Sequence, residues 1–368
     1  GLSYPLHDLF WSTNKVAAAP PVNLPDARLF PAIGLAAMHS ALEDPASDVM
    51  VLLKSSPYGS ISHSHADQNA FYLQAGGEPL FIESGWYPWY SSPHHDQWTR
   101  ETKAHNCVTY DGGQSQAKRL RSANGRITDF ATTPAFHYAV GDATPAYQGA
   151  VKHFVRRVLF ARPDIVFVFD DLTSEKPRRW EWWLHALQPM TVEEAAQAVS
   201  AASGTARARC SLVWPQGLSF KQTTGFEPPP ENDKADQSHC VATVAQPSAE
   251  QFFLAAISVA WGELTPLSAT LNRGSNYLAA KVRLGEGEVV ATFRTAPGEI
   301  RAGRLHADAA VLAARYDAAG KLVASFTDKA NAVSNGDSVI LASTEPGAYS
   351  LRVVGELTIV TAQAARDF

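Results

Sequence analysis

The residue types with the clearest chemical potential lie between residues 62 and 116. Within this segment, His63, His65 and Asp67 occur at every second position. On an extended strand these side chains would point the same way, because side chains alternate between the two faces of a strand. Imidazoles and carboxylates are the groups that bind zinc and transfer protons. We therefore expect residues 62–68 to form a strand that presents a polar cluster.

Two later segments contain further candidate ligands for this cluster. Glu83 lies in Phe-Ile-Glu-Ser-Gly, which predicts the return strand of a hairpin, and His105 lies in Lys-Ala-His-Asn-Cys. Two histidines alone would more often be exposed polar residues or a hydrogen-bonded cluster that fixes a loop. The additional Glu83 and His105 favour a metal site with three ligand-bearing segments.

A different enzyme class also uses the pattern His-x-His-x-Asp. Metallo-β-lactamase-type hydrolases continue this pattern with a histidine, and a helix follows. Here the next residue is Gln68, and residues 69–77 alternate like a strand that ends in a turn. Both departures disfavour a metal-dependent hydrolase.

Length and composition limit the classes of protein to which the chain could belong. Its 368 residues predict two or three domains, and 45% hydrophobic with 18% charged residues disfavour disorder and coiled coils. The net charge of −5 argues against nucleic acid as a partner. Apolar runs are shorter than the roughly 20 residues needed to cross a bilayer, so we expect no membrane partner. Three cysteines do not form a disulfide framework.

Short apolar runs separated by turns predict an all-β fold. Residues 49–54, 154–160, 164–171 and 179–185 are rich in β-branched and aromatic residues, which favour the strands of a large antiparallel sheet. Helical periodicity is scarce: residues 192–202 are compatible with a short helix, whereas residues 206–214 predict a strand. The proline-rich, polar segment 221–239 predicts a mobile loop.

Composition divides the chain into three parts. Residues 1–28 contain repeated prolines and predict a connector from an upstream domain. Residues 29–260 predict an antiparallel β-sandwich that carries the histidine-rich site, and residues 261–368 a smaller C-terminal β domain. The first residues lack a methionine and signal-peptide features, so we expect a fragment or a processed product. The compartment stays open between the periplasm and the cytoplasm of a bacterium.

Several motifs taken together resemble the heparinase II/III-like family of polysaccharide lyases, which includes heparin lyases and exolytic oligoalginate lyases. The resemblance covers roughly residues 29–190, and its motifs are SSPYGS at 55–60, SHSHADQNAF at 62–71, ESG at 83–85, TRETKAHN at 99–106 and DGGQSQ at 111–116. It implies an N-terminal (α/α) toroid, a supersandwich-like antiparallel β-sandwich and a small β-sheet domain. This chain resembles the β part alone, with the toroid absent.

The resemblance also implies a reaction and a set of catalytic residues. The family cleaves 4-linked uronic acids by β-elimination, which requires that the uronate carboxylate is neutralised, the C5 proton removed and the departing O4 protonated. His63 resembles the histidine that reaches the substrate. Tyr87 and Tyr90 lie where a tyrosine lines the family's cleft, and a phenol is suited to proton transfer.

The resemblance further implies the metal ligands and the residues that contact the sugar. His65, Glu83 and His105 match the ligands of a structural zinc, although the family commonly has aspartate at the position of Glu83. Candidate substrate-binding residues are His94, His95, Arg100 and Asn106. The aromatic stretch with Trp182, Trp183 and His185 is more typical of a sheet core and its edge than of a sugar platform.

The function predicted from the resemblance is a lyase acting on anionic uronate oligosaccharides. Alginate is favoured, because residues 87–95 and the Asp-Gly-Gly-Gln-x-Gln motif look closest to the oligoalginate type. Heparin or another glycosaminoglycan is the alternative substrate, and a non-catalytic carbohydrate-binding module that retains the metal site is the alternative function. The family's remaining catalytic residues lie on the toroid, so we expect weak or no activity from this chain alone.

Overall fold

The computed structural model describes residues 21–354 and 357–362. In chain order its strands are β1 (Ala27–Phe30), β2 (Leu35–His39), β3 (Val49–Lys54), β4 (Ala70–Ala75), β5 (Glu78–Phe81), β6 (Val108–Tyr110), β7 (Arg126–Thr132), β8 (Phe136–Asp142), β9 (His153–Ala161), β10 (Ile165–Arg178), β11 (Trp180–Ala186), β12 (Thr191–Glu193), β13 (Ala198–Ser203), β14 (Ala206–Trp214), β15 (Ser219–Thr224), β16 (Ser238–Thr243), β17 (Ser248–Trp261), β18 (Ala269–Arg273), β19 (Tyr277–Leu284), β20 (Gly287–Arg294), β21 (Ile300–Ala302), β22 (Leu305–Ala307), β23 (Val311–Tyr316), β24 (Leu322–Asn335), β25 (Ser338–Val354) and β26 (Leu357–Ala362).

Helical structure in these ranges is confined to single turns. They are a π-helical turn at His95–Thr99 and 3₁₀ turns at Thr102–Ala104, Thr144–Tyr147 and Glu194–Ala196. No helix within the described residues has the length and apolarity needed to cross a membrane. Most of the predicted connector lies outside the described residues, and its last two positions already belong to β1.

The strands form four antiparallel sheets. Sheet I has the order β1-β2-β3-β4-β5, sheet II the order β15-β16-β11-β6, and sheet III the order β12-β13-β14-β17-β10-β9-β8-β7. Sheet IV has the order β18-β19-β20-β23-β24-β22-β21, with β25 paired to β24 and β26 paired to β25. The predicted all-β, antiparallel architecture is confirmed.

Sheet III is the central layer of a three-layer stack. Val166 and Val168 of β10 contribute to a core shared with sheets I and II, whereas Phe167 and Phe169 contribute to a core shared with sheet IV. The Phe169 ring lies parallel to that of Phe293 from β20, with centroids 4.8 Å apart. A strand with both faces buried reads as a continuous apolar run, as β10 does.

Two parts of the sequence take a different local structure from the one predicted. The segment 192–202 is not helical: a 3₁₀ turn at Glu194–Ala196 joins β12 to β13. The loop predicted at 221–239 is shorter, because β15 runs to Thr224 and β16 begins at Ser238. The domain limits at residues 29, 260 and 261 remain a prediction.

Both loops that carry the candidate site leave sheet I; the first returns to sheet I and the second enters sheet II. One loop joins β3 to β4 and the other joins β5 to β6. The strand predicted for residues 62–68 is wrong: these residues form turns, and Ser62 and Asn69 take positive φ angles of 53° and 63°. Glu83 also lies beyond the end of β5 rather than on it. Turns, and not one flat strand face, therefore bring the polar side chains together.

Candidate active site

A buried arginine holds the loop that presents the histidines. Arg100 is 1% exposed, and its guanidinium donates hydrogen bonds to the carbonyl oxygens of Ser60 at 3.1 Å, Ser64 at 3.2 Å and Ser62. Ala66 N also donates to Arg100 O at 3.0 Å. Because one planar cation binds three carbonyls of a short loop, it fixes the path of the backbone through His63.

His63 and Tyr87 form an exposed polar contact of the site. His63 Nδ1 lies 2.6 Å from Tyr87 Oη, a hydrogen bond in which one proton is shared between an imidazole and a phenol. The ring of Tyr90 lies 4.8 Å from that of His63. His63 and Tyr90 are exposed and Tyr87 is half-buried. The three predicted catalytic side chains thus lie together at the surface.

His95 supports this group from below. Its ring lies against that of Tyr87, with centroids 3.8 Å apart. Ser91 N approaches its Nδ1 at 2.7 Å, and Arg100 Nε approaches its Nε2 at 3.1 Å. Burial and then the adjacent Arg100 charge lower the pKa of His95 to about 4, so its imidazole is neutral at pH 7. His95 therefore orients Tyr87 as an uncharged ring.

Deeper in the site, ligand atoms of His65, Asp67 and His105 lie within 4.8 Å of one another. Glu83 Oε2 forms a hydrogen bond with His105 Nδ1, and His105 Nε2 lies 3.1 Å from Thr99 O. Two buried polar atoms of the cluster, His65 Nε2 and Glu83 Oε1, have no hydrogen-bond partner. Unpaired buried atoms are costly, and a cation bound at His65 Nε2 would satisfy that atom. The ligand atoms of His65, Asp67 and His105 are close enough together to hold a metal ion.

The two acidic residues of the cluster differ in their pairing. Both carboxylate oxygens of Asp67 lie 2.5 Å from Lys54 Nζ, whereas Glu83 keeps one oxygen unpaired. Burial raises the pKa of Asp67, but the charges of Lys54, His105 and His65 and the hydrogen bond from Lys54 together outweigh burial, and the pKa is lowered overall. By distance, the third ligand is Asp67, whose carboxylate lies within 4.8 Å of the ligand atoms of His65 and His105. By hydrogen bonding, the third ligand is Glu83, because its Oε1 has no partner. Sequence reasoning did not assign Asp67 to the metal, although it belongs to the His-x-His-x-Asp pattern.

The electrostatics of the two histidines reflect their different partners. Burial, and then the neighbouring His105, lower the pKa of His65 to about 3, so this imidazole is neutral and free to bind a cation. Burial alone would lower the pKa of His105, but the Glu83 carboxylate raises it overall. Gly85 makes room for both rings, since a Cβ there would lie 3.0 Å from His65 Nδ1 and 3.3 Å from His105 Cε1.

Comparison with known proteins identifies the family. The family model described as heparinase II/III-like, C-terminal, matches residues 23–251, which is more than half of the chain. The chain belongs to the heparinase II/III-like family. This confirms the family predicted from the sequence, and the site described above lies inside the matched region. No curated protein matches the chain.

Solved structures share the fold of this heparinase II/III-like chain. "Heparinase III-BT4657 gene product" superposes with a TM-score of 0.61 at 15% identity, covering 74% of this chain and 43% of that one. The heparan sulfate lyase HepC from Pedobacter heparinus gives a TM-score of 0.61 at 15% identity, covering 76% of this chain and 44% of that one. The chain therefore spans less than half the length of these structures.

Two predicted substrate-binding residues of the heparinase II/III-like chain are buried and paired within the protein. Asn106 Nδ2 donates to Phe71 O at 2.8 Å and to Ile82 O at 2.9 Å, and its Oδ1 accepts from His185 N. His94 Nδ1 lies 2.8 Å from Pro228 O. With His95 and Arg100, these residues support the loops in this structure, and their contact with a sugar remains a prediction.

Proposed function

We propose that the protein is a polysaccharide lyase that cleaves uronate polymers by β-elimination, and that this chain supplies the β-domain half of its active site. The observation that carries the proposal is the 2.6 Å contact between His63 Nδ1 and Tyr87 Oη at an exposed edge, with Tyr90 beside it. His63, Tyr87 and Tyr90 together offer an imidazole and two phenols to one ligand.

The reaction assigns a task to each of these side chains. The C5–H bond breaks as a base takes its proton, its electron pair forms the C4–C5 double bond, and the C4–O4 bond breaks as O4 takes a proton. His63 meets the uronate carboxylate and lowers its negative charge, which favours loss of the C5 proton. Tyr87 or Tyr90 transfers the protons. The Arg100 guanidinium, 3.4 Å from Tyr90 Oη, would stabilise a phenolate there.

The loop beside His63 and Tyr87 exposes aromatic side chains, and we infer that a second domain packs there to form a cleft. Trp86 is 51% exposed, Trp89 64% and Tyr90 49%, all in one loop beside His63. A cluster of exposed aromatic side chains is typical of a surface that contacts sugar or another domain. We propose that the predicted (α/α) toroid contributes the other wall, which fits the length of the structures that the chain matches.

For the substrate, we place heparan-type glycosaminoglycans before alginate. The alginate prediction rests on residues 87–95 and the Asp-Gly-Gly-Gln-x-Gln motif, whereas the matched structures carry the names heparinase III and heparan sulfate lyase. Both polymers contain a 4-linked uronic acid, so the same elimination applies to each. The two substrates are distinguished by the assay below.

For the metal, we propose a structural zinc at His65, Glu83 and His105, with Asp67 as the alternative carboxylate. The unpaired atoms His65 Nε2 and Glu83 Oε1 support this proposal. A bound zinc would tie together the two loops that leave sheet I. Elimination requires no metal-bound hydroxide, so His63 and Tyr87 would carry the chemistry.

The test is the absorbance of unsaturated uronate products from heparan sulfate and alginate, measured in parallel. The natural full-length protein, His63→Ala, Tyr87→Phe and the control Tyr277→Phe are compared. We expect product from one polymer, a loss of about 100-fold or more in kcat for the two site variants, and no change for Tyr277→Phe, which lies in β19. A folded, zinc-loaded protein that gives no product from either polymer would instead support the carbohydrate-binding module.

A further inference from the structure

The outer face of sheet II carries a groove that is separate from the His63 and Tyr87 pair. Residues of β11, β16 and β15 lie opposite one another in register: Trp183 faces Val241, and Val241 faces Lys221. The next row pairs Glu181 with Thr243. The inward residues of the same strands, such as Trp182, belong to the core. The groove has a volume of about 430 Å³, which is in the range of small-ligand sites.

Trp183 forms a fixed aromatic platform in this groove. Its Nε1 donates to Thr109 Oγ1 at 2.7 Å, which sets the orientation of the ring. The ring of His185 is parallel to it at 6.0 Å and lies along the strand on one side. On the other side the groove is lined by Gly112 and Gly113, where an added Cβ would meet nothing within 4 Å. The indole is half-buried and pre-oriented, which lowers the entropic cost of stacking a ligand.

The charge of the groove favours an anion. Lys103 and Lys221 line it against a single carboxylate, that of Glu181. Glu181 is 7% exposed and already accepts hydrogen bonds from Thr109 Oγ1, from Gly112 N at 2.8 Å and from Gly113 N at 2.9 Å. Its charge is therefore directed into the protein. Lys103 Nζ lies 5.6 Å from the centre of the Trp98 ring, and Lys221 is exposed.

Hydroxyl groups complete the lining and indicate what kind of anion fits. Ser219, Thr223 and Thr243 present side-chain hydroxyls along the same face as Lys221. A flat aromatic ring, a row of hydroxyls and two lysines match the apolar face, the hydroxyls and the acidic group of a sugar acid. A chain with a net charge of −5 does not favour a nucleic acid as the occupant.

We propose that this groove is a second saccharide site that binds an acidic sugar unit outside the catalytic pair. The choice of an acidic sugar rests on the proposed function, whereas the groove itself rests on its own lining. The rings of Trp98 and Phe226 pack against the ring of His239, which lies on β16 two residues before Val241. Lys103 Nζ lies over the Trp98 ring. The site would hold a distant unit of a long polymer and so raise the affinity for polymer over short oligomers.

The test is calorimetric binding of three tetrasaccharides to the full chain: one derived from heparin, one from alginate, and neutral cellotetraose. All variants are made in a His63→Ala background so that the ligand is not consumed. We expect Lys221→Ala to weaken binding of an acidic tetrasaccharide two- to fivefold and Lys221→Glu about tenfold. Trp183→Ala should weaken it about tenfold. The matched control Lys176→Ala, an exposed lysine on β10, should leave the affinity unchanged.

The outcomes separate this proposal from the proposed function. Unchanged affinity and stoichiometry in both Lys221→Glu and Trp183→Ala would overturn the site, and so would equal binding of cellotetraose. Lys221 is exposed, so its variants report on binding even if Trp183→Ala unfolds, which circular dichroism detects. If no polymer yields unsaturated product while the variants lose binding, the groove stands and the lyase function fails. If product forms and the groove variants bind as before, the lyase function stands and the groove fails.

Discussion

Arg156 and Asp170 form a bidentate ion pair with no exposed surface, in the middle of the central sheet. Arg156 Nε lies 2.6 Å from Asp170 Oδ1, and Arg156 Nη2 lies 2.7 Å from Oδ2. The remaining Arg156 nitrogen donates to Asn69 O and Asn106 O, both at 2.7 Å. Asn69 is the last residue of the loop that carries His63, and Asn106 directly follows His105. One buried cation thus joins the central sheet to both loops of the candidate site.

The pair predicts a large loss of stability when one partner is removed. Arg156→Met leaves the buried Asp170 carboxylate without a cation, with one remaining hydrogen bond from Trp182 Nε1, and we expect the free energy of unfolding to fall by about 3–5 kcal/mol. Urea denaturation measures this. The control Arg294→Met removes an exposed pair with Asp308 and should cost less than about 1 kcal/mol. Equal losses in the two variants would contradict a special role for Arg156.

The sequence predicted the strands better than the loops. Strands follow from local residue patterns, whereas these loops depend on contacts with residues far away along the chain. The residues of β10 alternate between two apolar cores, so a local run of Val and Phe is enough to predict a strand. The alternation at His63, His65 and Asp67 predicted a strand for the same reason and was wrong. Arg100, 37 residues further along than His63, holds this segment in turns through the carbonyls of Ser60, Ser62 and Ser64.

The candidate site was predicted by residue type and not by geometry. The motifs placed His63, His65, Glu83 and His105 in one family pattern, and the structure brings all four together. Ion pairs and hydrogen bonds between residues that are far apart along the chain could not be predicted from the sequence. Lys54 neutralises Asp67, and the burial of His94 and Asn106 depends on loops that are far apart along the chain.

The two carboxylates near His65 predict different effects on binding of the proposed zinc. Glu83→Gln removes the charge of the residue that has an unpaired buried oxygen, and we expect zinc affinity to fall by at least about 10–100-fold. Asp67→Asn changes a carboxylate already paired with Lys54 and should retain most of the zinc. Metal analysis after dialysis against a graded chelator measures both. The opposite order would assign the ligand set His65, Asp67 and His105.

Gly85 predicts a variant that weakens the proposed zinc site without a backbone penalty. In Gly85→Ala the new Cβ would lie 3.0 Å from His65 Nδ1 and 3.1 Å from its Cε1, so the ring must shift by a few tenths of an ångström. We expect about tenfold weaker zinc binding, because ligand geometry is set by such supports, with the metal-free stability changed by less than about 1 kcal/mol. In the control Gly285→Ala, the Cβ meets nothing within 4 Å. Unchanged zinc affinity in Gly85→Ala would show that the His65 ring moves freely.

His137, which belongs to a different hydrogen-bonded group, predicts an acid-dependent loss of stability. Its Nε2 lies 3.0 Å from His39 O and its Nδ1 lies 2.8 Å from Thr132 Oγ1. Burial, and then the Arg162 charge, lower the pKa of His137 from 6.5 to about 4 in the folded protein. The unfolded chain therefore binds a proton below about pH 6.5 that the folded protein does not take up until about pH 4.

The sign of this effect follows directly. The neutral imidazole favours folding above pH 6.5, and this contribution is lost as the pH falls from 6.5 toward about 4. The loss attributable to His137 is about 3 kcal/mol at most. His137→Gln does not titrate, so its free energy of unfolding should fall less than that of the wild type between pH 7.5 and about 4.5 in urea titrations. The control His306→Gln concerns a histidine whose pKa is raised by hydrogen bonds to Glu299 and Gly336, so it should not reduce the acid loss. Parallel pH profiles for the wild type and His137→Gln would show that His137 titrates at its ordinary pKa.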